Sequence, residues 1–108
     1  MKTIDTRSLA QLVEQGLSED VEMIDVREYE EWQEGVISGA SLLSMSLLPL
    51  SLSTLDPQKT YILICRSGNR SGQVGYFLES KGYKHVVNYI DGMLGWHAAA
   101  LPVVFPNL

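Results

Sequence analysis

The sequence predicts an α/β domain built on a central, mainly parallel sheet flanked by helices. Three observations predict it. Residues 61–64 (Tyr-Ile-Leu-Ile) are a continuous apolar, β-prone run, the pattern of a strand buried on both faces. Strand-like segments alternate with short helical patterns along the chain. Turn-forming residues, Gly16, Pro57, Gly82 and Pro102 among them, stand at the joints.

The elements follow in order. Asp5 or Thr6 caps a first helix, with Leu9, Leu12 and Val13 at the spacing of one buried face and Gly16 at its end. Residues 22–26 form a short strand. The charged stretch 27–34 forms a turn with a short helix, 35–40 is turn-rich, and Leu42-Leu43 makes another short strand. The turn Asp56-Pro57-Gln58-Lys59 leads into the strand at 61–64, and 65–69 is irregular. A helix then runs from Arg70 or Ser71 to Lys81, with Val74, Phe77 and Leu78 on one face and Gly82 as its cap. Val86-Val87 begins the last strand and Asp91-Gly92 turns. Residues 93–100 form a short helix closed by Leu101-Pro102.

Composition narrows the function. The chain has 108 residues, 45% apolar and 19% charged, and is expected to form one domain over residues 1–108. A net charge of -5 argues against the basic face of a nucleic-acid binder. Cys65 is the single cysteine, which excludes an intramolecular disulfide, a CxxC pair and a thiolate-rich zinc site. His85 and His97 lie far apart without a metal-ligand pattern and read as surface or packing residues, so neither metal nor cofactor is expected. The start of the chain, Met1 to Arg7, lacks the apolar run of a signal peptide, and the expected location is the cytoplasm. The greasiest stretch, 42–55, is broken by Ser44, Ser46, Pro49, Ser51, Ser53 and Thr54 and falls short of the ~20 residues of a membrane span. It reads as a short helix and loop covering the core, or alternatively as a docking surface for a partner.

The chemistry centres on Cys65-Arg66-Ser67-Gly68-Asn69-Arg70-Ser71, running from strand to helix. A lone cysteine after a strand is ordinarily an inert core residue. Here Arg66, Arg70 and a helix N-terminus stand within six residues of it, and each favours the reactive thiolate. A loop curled around Cys65 would turn backbone N–H groups inward as an anion nest, with Gly68 allowing the curl. Ser67, Asn69 and Ser71 can brace the loop or cap the helix. In parallel sheets such a site lies beyond the carboxyl ends of the strands.

A second constellation is Asp25-Val26-Arg27-Glu28-Tyr29-Glu30-Glu31-Trp32. Glu31 follows Arg27 by four residues, so the two could pair within a helix. Asp25, Arg27 and Glu31 read as structural support rather than as acid or base, and Trp32 as a packing residue.

With these motifs the chain resembles a stand-alone rhodanese domain over nearly its whole length. The resemblance rests on Asp25-Val26-Arg27-Glu28 with Glu31-Trp32 and residues 35–40, on the loop at Cys65, and on Asp91-Gly92-Met93-Leu94-Gly95-Trp96 ending at Leu101-Pro102-Val103. Val36 stands where the family usually has His, Ser38 where it has Pro, and Asp91 where it often has Gly.

The resemblance implies a three-layer domain that acts as a sulfurtransferase. Cys65 would attack the outer sulfur of thiosulfate or a related anionic donor and hold it as a persulfide. Cyanide, a thiol or a protein acceptor would then remove it. Arg66, Ser67, Gly68, Asn69, Arg70 and Ser71 would bind the substrate, their backbone N–H groups cradling the persulfide. Arg70, with Arg66, would attract the donor and favour the thiolate, so that no general base is needed. Four residues separate Cys65 from Arg70, one fewer than in cysteine phosphatases, and the tighter ring suits a sulfur atom better than a phosphate group. The alternative is a persulfide relay or interaction module that docks with protein partners, with little thiosulfate turnover.

Overall fold

The apolar run at 61–64 belongs to the middle strand of a five-stranded parallel sheet. The computed structural model describes residues 1–108. Its strands are β1 (Lys2–Ile4), β2 (Val21–Asp25), β3 (Ser41–Leu42), β4 (Thr60–Ile64) and β5 (Val86–Tyr89). They lie in the order β1-β5-β4-β2-β3, and every adjacent pair is parallel. The helices are α1 (Thr6–Gln15), α2 (Tyr29–Trp32), α3 (Asn69–Ser80) and α4 (Gly92–Ala98), with a 3-10 helix at Leu48–Thr54.

Side chains of a strand alternate between faces, and two apolar layers result. On one face Tyr61, Leu63 and Cys65 pack with Ile24, Val26, Val74, Leu78 and Val86, covered by α3 and the 3-10 helix. On the other, Ile62 and Ile64 pack with Leu9, Met23, Met93 and Trp96 of β2, α1 and α4. Each such side chain contributes about 1.5–3 kcal/mol on burial. This is the three-layer α/β arrangement expected of a rhodanese-like fold.

Four details differ from expectation. The edge strand β1 was not foreseen. It is three residues long and mostly exposed, so it carries no buried-strand signature. Leu12 does not belong to the buried face of α1: the helix turns Leu9, Ala10 and Val13 to the sheet and leaves Leu12 exposed. The short strand near Leu42-Leu43 is Ser41–Leu42, beside β2. The turn at Asp91 runs directly into α4, so that Gly92 is the first residue of the helix rather than part of a separate turn.

The stretch 42–55 covers the core. Leu48 and Leu55 are buried, and Leu43, Met45 and Leu52 pack against the same cluster, while Leu47 and Leu50 are exposed. No helix is long and apolar enough to cross a membrane.

Because all five strands are parallel, their carboxyl ends share one edge of the sheet. Asp25 pairs with Ile64 in register, and Leu63 with Asn88. The chain segments leaving β2, β4 and β5 therefore meet there, in the crevice where open α/β sheets bind ligands.

Candidate active site

Cys65 follows β4 directly, and the loop ends at Gly68, which precedes α3. The Gly68 N–H donates to Cys65 Sγ at 3.1 Å, and Ser71 Oγ lies 3.2 Å from the sulfur. Gly68 has φ of 87°, and a Cβ there would run into the Ile90 carbonyl oxygen. Glycine is therefore required on both counts. Gly92, with φ of 61°, is pressed in the same way against the Arg66 carbonyl and Ser67 nitrogen. The first N–H groups of a helix lack partners within it. In α4, those of Met93 and Leu94 donate to the Cys65 and Arg66 carbonyls at 2.9 and 3.0 Å and hold the loop from behind.

These contacts set the state of the sulfur. Burial pushes the Cys65 thiol up. Hydrogen bonding from Ser71, through side chain and backbone, and from the Ser67 and Gly68 N–H groups outweighs burial and brings it below its ordinary 9.0. The positive end of α3 lies beside the same atom.

The two arginines of this segment, Arg66 on the loop and Arg70 in the first turn of α3, differ. Arg66 is exposed and lines a shallow cleft with Arg27, Glu31, Glu34 and His97. Arg70 is half-buried and held by Glu31 through Nη1–Oε1 and Nη2–Oε2 contacts of 2.6 and 2.7 Å. The Arg70 guanidinium brings the Glu31 carboxyl down to about 2, and Glu31 in turn raises Arg70.

Arg27 does not pair with Glu31, contrary to the four-residue spacing. Helix α2 begins only at Tyr29, and Glu28 is extended, so Arg27 lies outside the helix. Its guanidinium turns back to Asp25, with Nε–Oδ1 at 3.0 Å and Nη2–Oδ2 at 2.9 Å, and donates to the Gly35 carbonyl at 2.8 Å. Trp32 Nε1 also donates to Asp25 Oδ1 at 3.2 Å. Asp25 and Arg27 are thus a buried, fully bonded bracket behind the site, and Glu31 reaches forward to Arg70. Ser67 and Asn69 are exposed on the loop, and Ser71 is fully buried.

Sequence reasoning missed Asn88. Its Oδ1 accepts from Ser71 Oγ at 2.5 Å, and its Nδ2 donates to the Gly68 carbonyl at 3.0 Å. The available signal was a polar residue in the otherwise apolar strand Val86–Tyr89. Asp91 also has a reason to replace glycine. Its Oδ2 accepts from the Thr6 N–H and hydroxyl at 2.8 and 2.9 Å, serving an otherwise unpaired donor at the start of α1.

Known proteins resemble this chain in sequence and fold. Residues 5–99 match the family model described as rhodanese-like domain. A putative sulfurtransferase of Bacillus subtilis, YtwF, is 40% identical over 102 residues, covering 94% of this chain and 96% of that protein. A sulfurtransferase of Allochromatium vinosum is 36% identical over 104 residues, covering 96% and 95%. The crystal structure of a rhodanese-like domain protein from Staphylococcus aureus superposes with a TM-score of 0.82 at 33% identity, covering 96% of this chain and 99% of that one. The chain, with its parallel sheet and its cysteine loop between strand and helix, belongs to the rhodanese-like domain family.

Proposed function

We propose that this protein is a sulfurtransferase that carries sulfane sulfur on Cys65. The Cys65 thiolate attacks the outer sulfur of thiosulfate or a related anionic donor. The donor's S–S bond breaks, sulfite leaves with the bonding pair, and a Cys65 persulfide remains. A thiophilic acceptor, cyanide or a thiolate, then attacks the outer sulfur and returns Cys65 as thiolate. No proton need be removed in the first step if the thiolate is already formed.

The observation that carries this reading is the polar setting of the sulfur: the Gly68 N–H donates to it at 3.1 Å, and the Ser71 hydroxyl, which can donate or accept, lies 3.2 Å away, at the N-terminus of α3. Such donors stabilise a thiolate and a persulfide anion alike. The sulfurtransferase names of the two relatives, matched over nearly their full length, support the same chemistry. Arg66 and Arg70 attract the anionic donor, and Ser67 and Asn69 line the approach. Asp25, Arg27 and Glu31 support the loop.

A second reading is a relay that passes the persulfide to a protein acceptor. Leu47 and Leu50, exposed at the start of the 3-10 helix, favour it. Thiocyanate formation from thiosulfate and cyanide tests the enzymatic reading. Wild type should turn over, and Cys65→Ser should fall to background. Turnover at the wild-type rate in Cys65→Ser would overturn it. A wild type that forms the persulfide but releases little thiocyanate would favour the relay.

A further inference from the structure

The Ser71 hydroxyl has one proton and two acceptors beside it. Asn88 decides which of them receives it. The Asn88 Nδ2 donates to the Gly68 carbonyl at 3.0 Å, and this fixes the amide's orientation, because Oδ1 in that place would face another acceptor. Oδ1 is then turned to Ser71, and as an acceptor it takes the Ser71 proton across 2.5 Å. With its proton so placed, Ser71 Oγ presents a lone pair to Cys65 Sγ at 3.2 Å, and the thiol S–H donates to it. When Cys65 is a thiolate this arrangement sets two acceptors against each other. The Ser71 hydroxyl must rotate and donate to sulfur. Ser71 is fully buried and Asn88 nearly so. Burial makes an unpaired acceptor costly, so the network has two discrete states.

We propose that Asn88 is a positioning residue for the sulfur chemistry: it holds the Ser71 proton while Cys65 is a thiol and yields it to the sulfur when Cys65 becomes a thiolate or persulfide. The change breaks and forms hydrogen bonds only. The thiol proton leaves to solvent, and Ser71 keeps its own. Asn88 also fixes the Gly68 peptide, whose N–H is the other donor to sulfur. The proposal rests on Cys65 being the sulfur carrier, but its tests read ionisation, not transfer.

The charged groups around the network are few. Arg70 on α3 and Arg66 on the loop are nearest in the chain, and Glu31 and Glu28 of the α2 segment act on Arg70. Tyr89 and Asp91, the neighbours of Asn88 along the chain, are engaged by Thr6, and Tyr89 packs on the opposite face of the sheet. The stretch 42–55 has no charged residue.

The test follows the Asn88 side-chain amide by NMR in the whole protein while pH is raised, with Cys65 ionisation measured in parallel by the rate of alkylation. The Asn88 amide signals should move with the same midpoint as alkylation, and should move again when thiosulfate loads the persulfide. In Ser71→Ala the response of these signals to Cys65 ionisation should fall to a small fraction of the wild-type change. Signals that stay flat through Cys65 ionisation, or an equal response in Ser71→Ala, would overturn the proposal. A near-isosteric Asn88→Asp should raise the alkylation midpoint by about one pH unit or more, since a carboxylate holds the Ser71 proton and opposes the thiolate. A folded Asn88→Asp with an unchanged or lower midpoint would also overturn it. Failure of persulfide loading with the ionisation response intact would count against the sulfur-carrier reading instead.

Discussion

Arg70 grips Glu31 with both ends of its guanidinium, at 2.6 and 2.7 Å, and so ties the first turn of α3 to α2 across 39 residues of chain. Arg70 is therefore partly neutralised in the resting protein. It anchors the start of α3 to α2 besides carrying the charge proposed to attract a donor.

Removing the Glu31 charge should leave Arg70 freer to act on the sulfur. We expect Glu31→Gln to lower the alkylation midpoint of Cys65 by less than about one pH unit, because the pair is part-exposed and solvent screens it. Arg70→Ala should move the midpoint the other way and raise the KM for an anionic donor. The pH profile of iodoacetamide alkylation reads both shifts.

The same pair has an acid limit. Glu31 titrates at about 2 in the folded protein, against an ordinary 4.5. A carboxyl lowered by folding stabilises fully above its unfolded value and loses that contribution as pH falls towards the folded one. The stability difference between wild type and Glu31→Gln should be constant above pH 4.5 and vanish as pH approaches about 2. It should stay below the roughly 3 kcal/mol that such a shift would give in full, because solvent screens a part-exposed pair. Thermal unfolding across this window checks it.

Asp25 accepts hydrogen bonds from the Arg27 backbone N–H, the Arg27 guanidinium and the Trp32 indole, and is fully buried. Asp25→Ala leaves a buried guanidinium without its partner. The expected cost is about 3–5 kcal/mol of unfolding free energy, measured by denaturant titration.

Two glycines with nearly the same φ should behave differently. Gly16 has φ of 86° with open space beside it, and Gly68 has φ of 87° against the Ile90 carbonyl. Gly16→Ala should cost stability of about 1–3 kcal/mol and leave sulfur transfer intact. Gly68→Ala should add loss of transfer, because the N–H at the sulfur must shift. Paired melting curves and thiocyanate assays separate the two effects.

Much of this was legible in the chain. The run at 61–64 announced a doubly buried strand because every residue of it is apolar, and Cys65 was placed by its position at that strand's end. Periodicity misplaced Leu12, since Ala10 shares the buried face of α1 with Leu9 and Val13, and alanine adds little apolar signal. Spacing misassigned Glu31, because a four-residue interval implies contact only inside a helix, and α2 starts after Arg27. Strand β1 and the role of Asn88 depend on long-range pairing. Lys2 meets Val87, and Asn88 meets Gly68 and Ser71, and such contacts leave no local pattern.

The most direct test of the central claim is the intact mass of the purified protein before and after thiosulfate, and again after cyanide. The account predicts a gain of one sulfur atom, removed by cyanide and absent in Cys65→Ser. A gain that persists in Cys65→Ser, or no gain with thiosulfate or any other sulfane-sulfur donor, would contradict it.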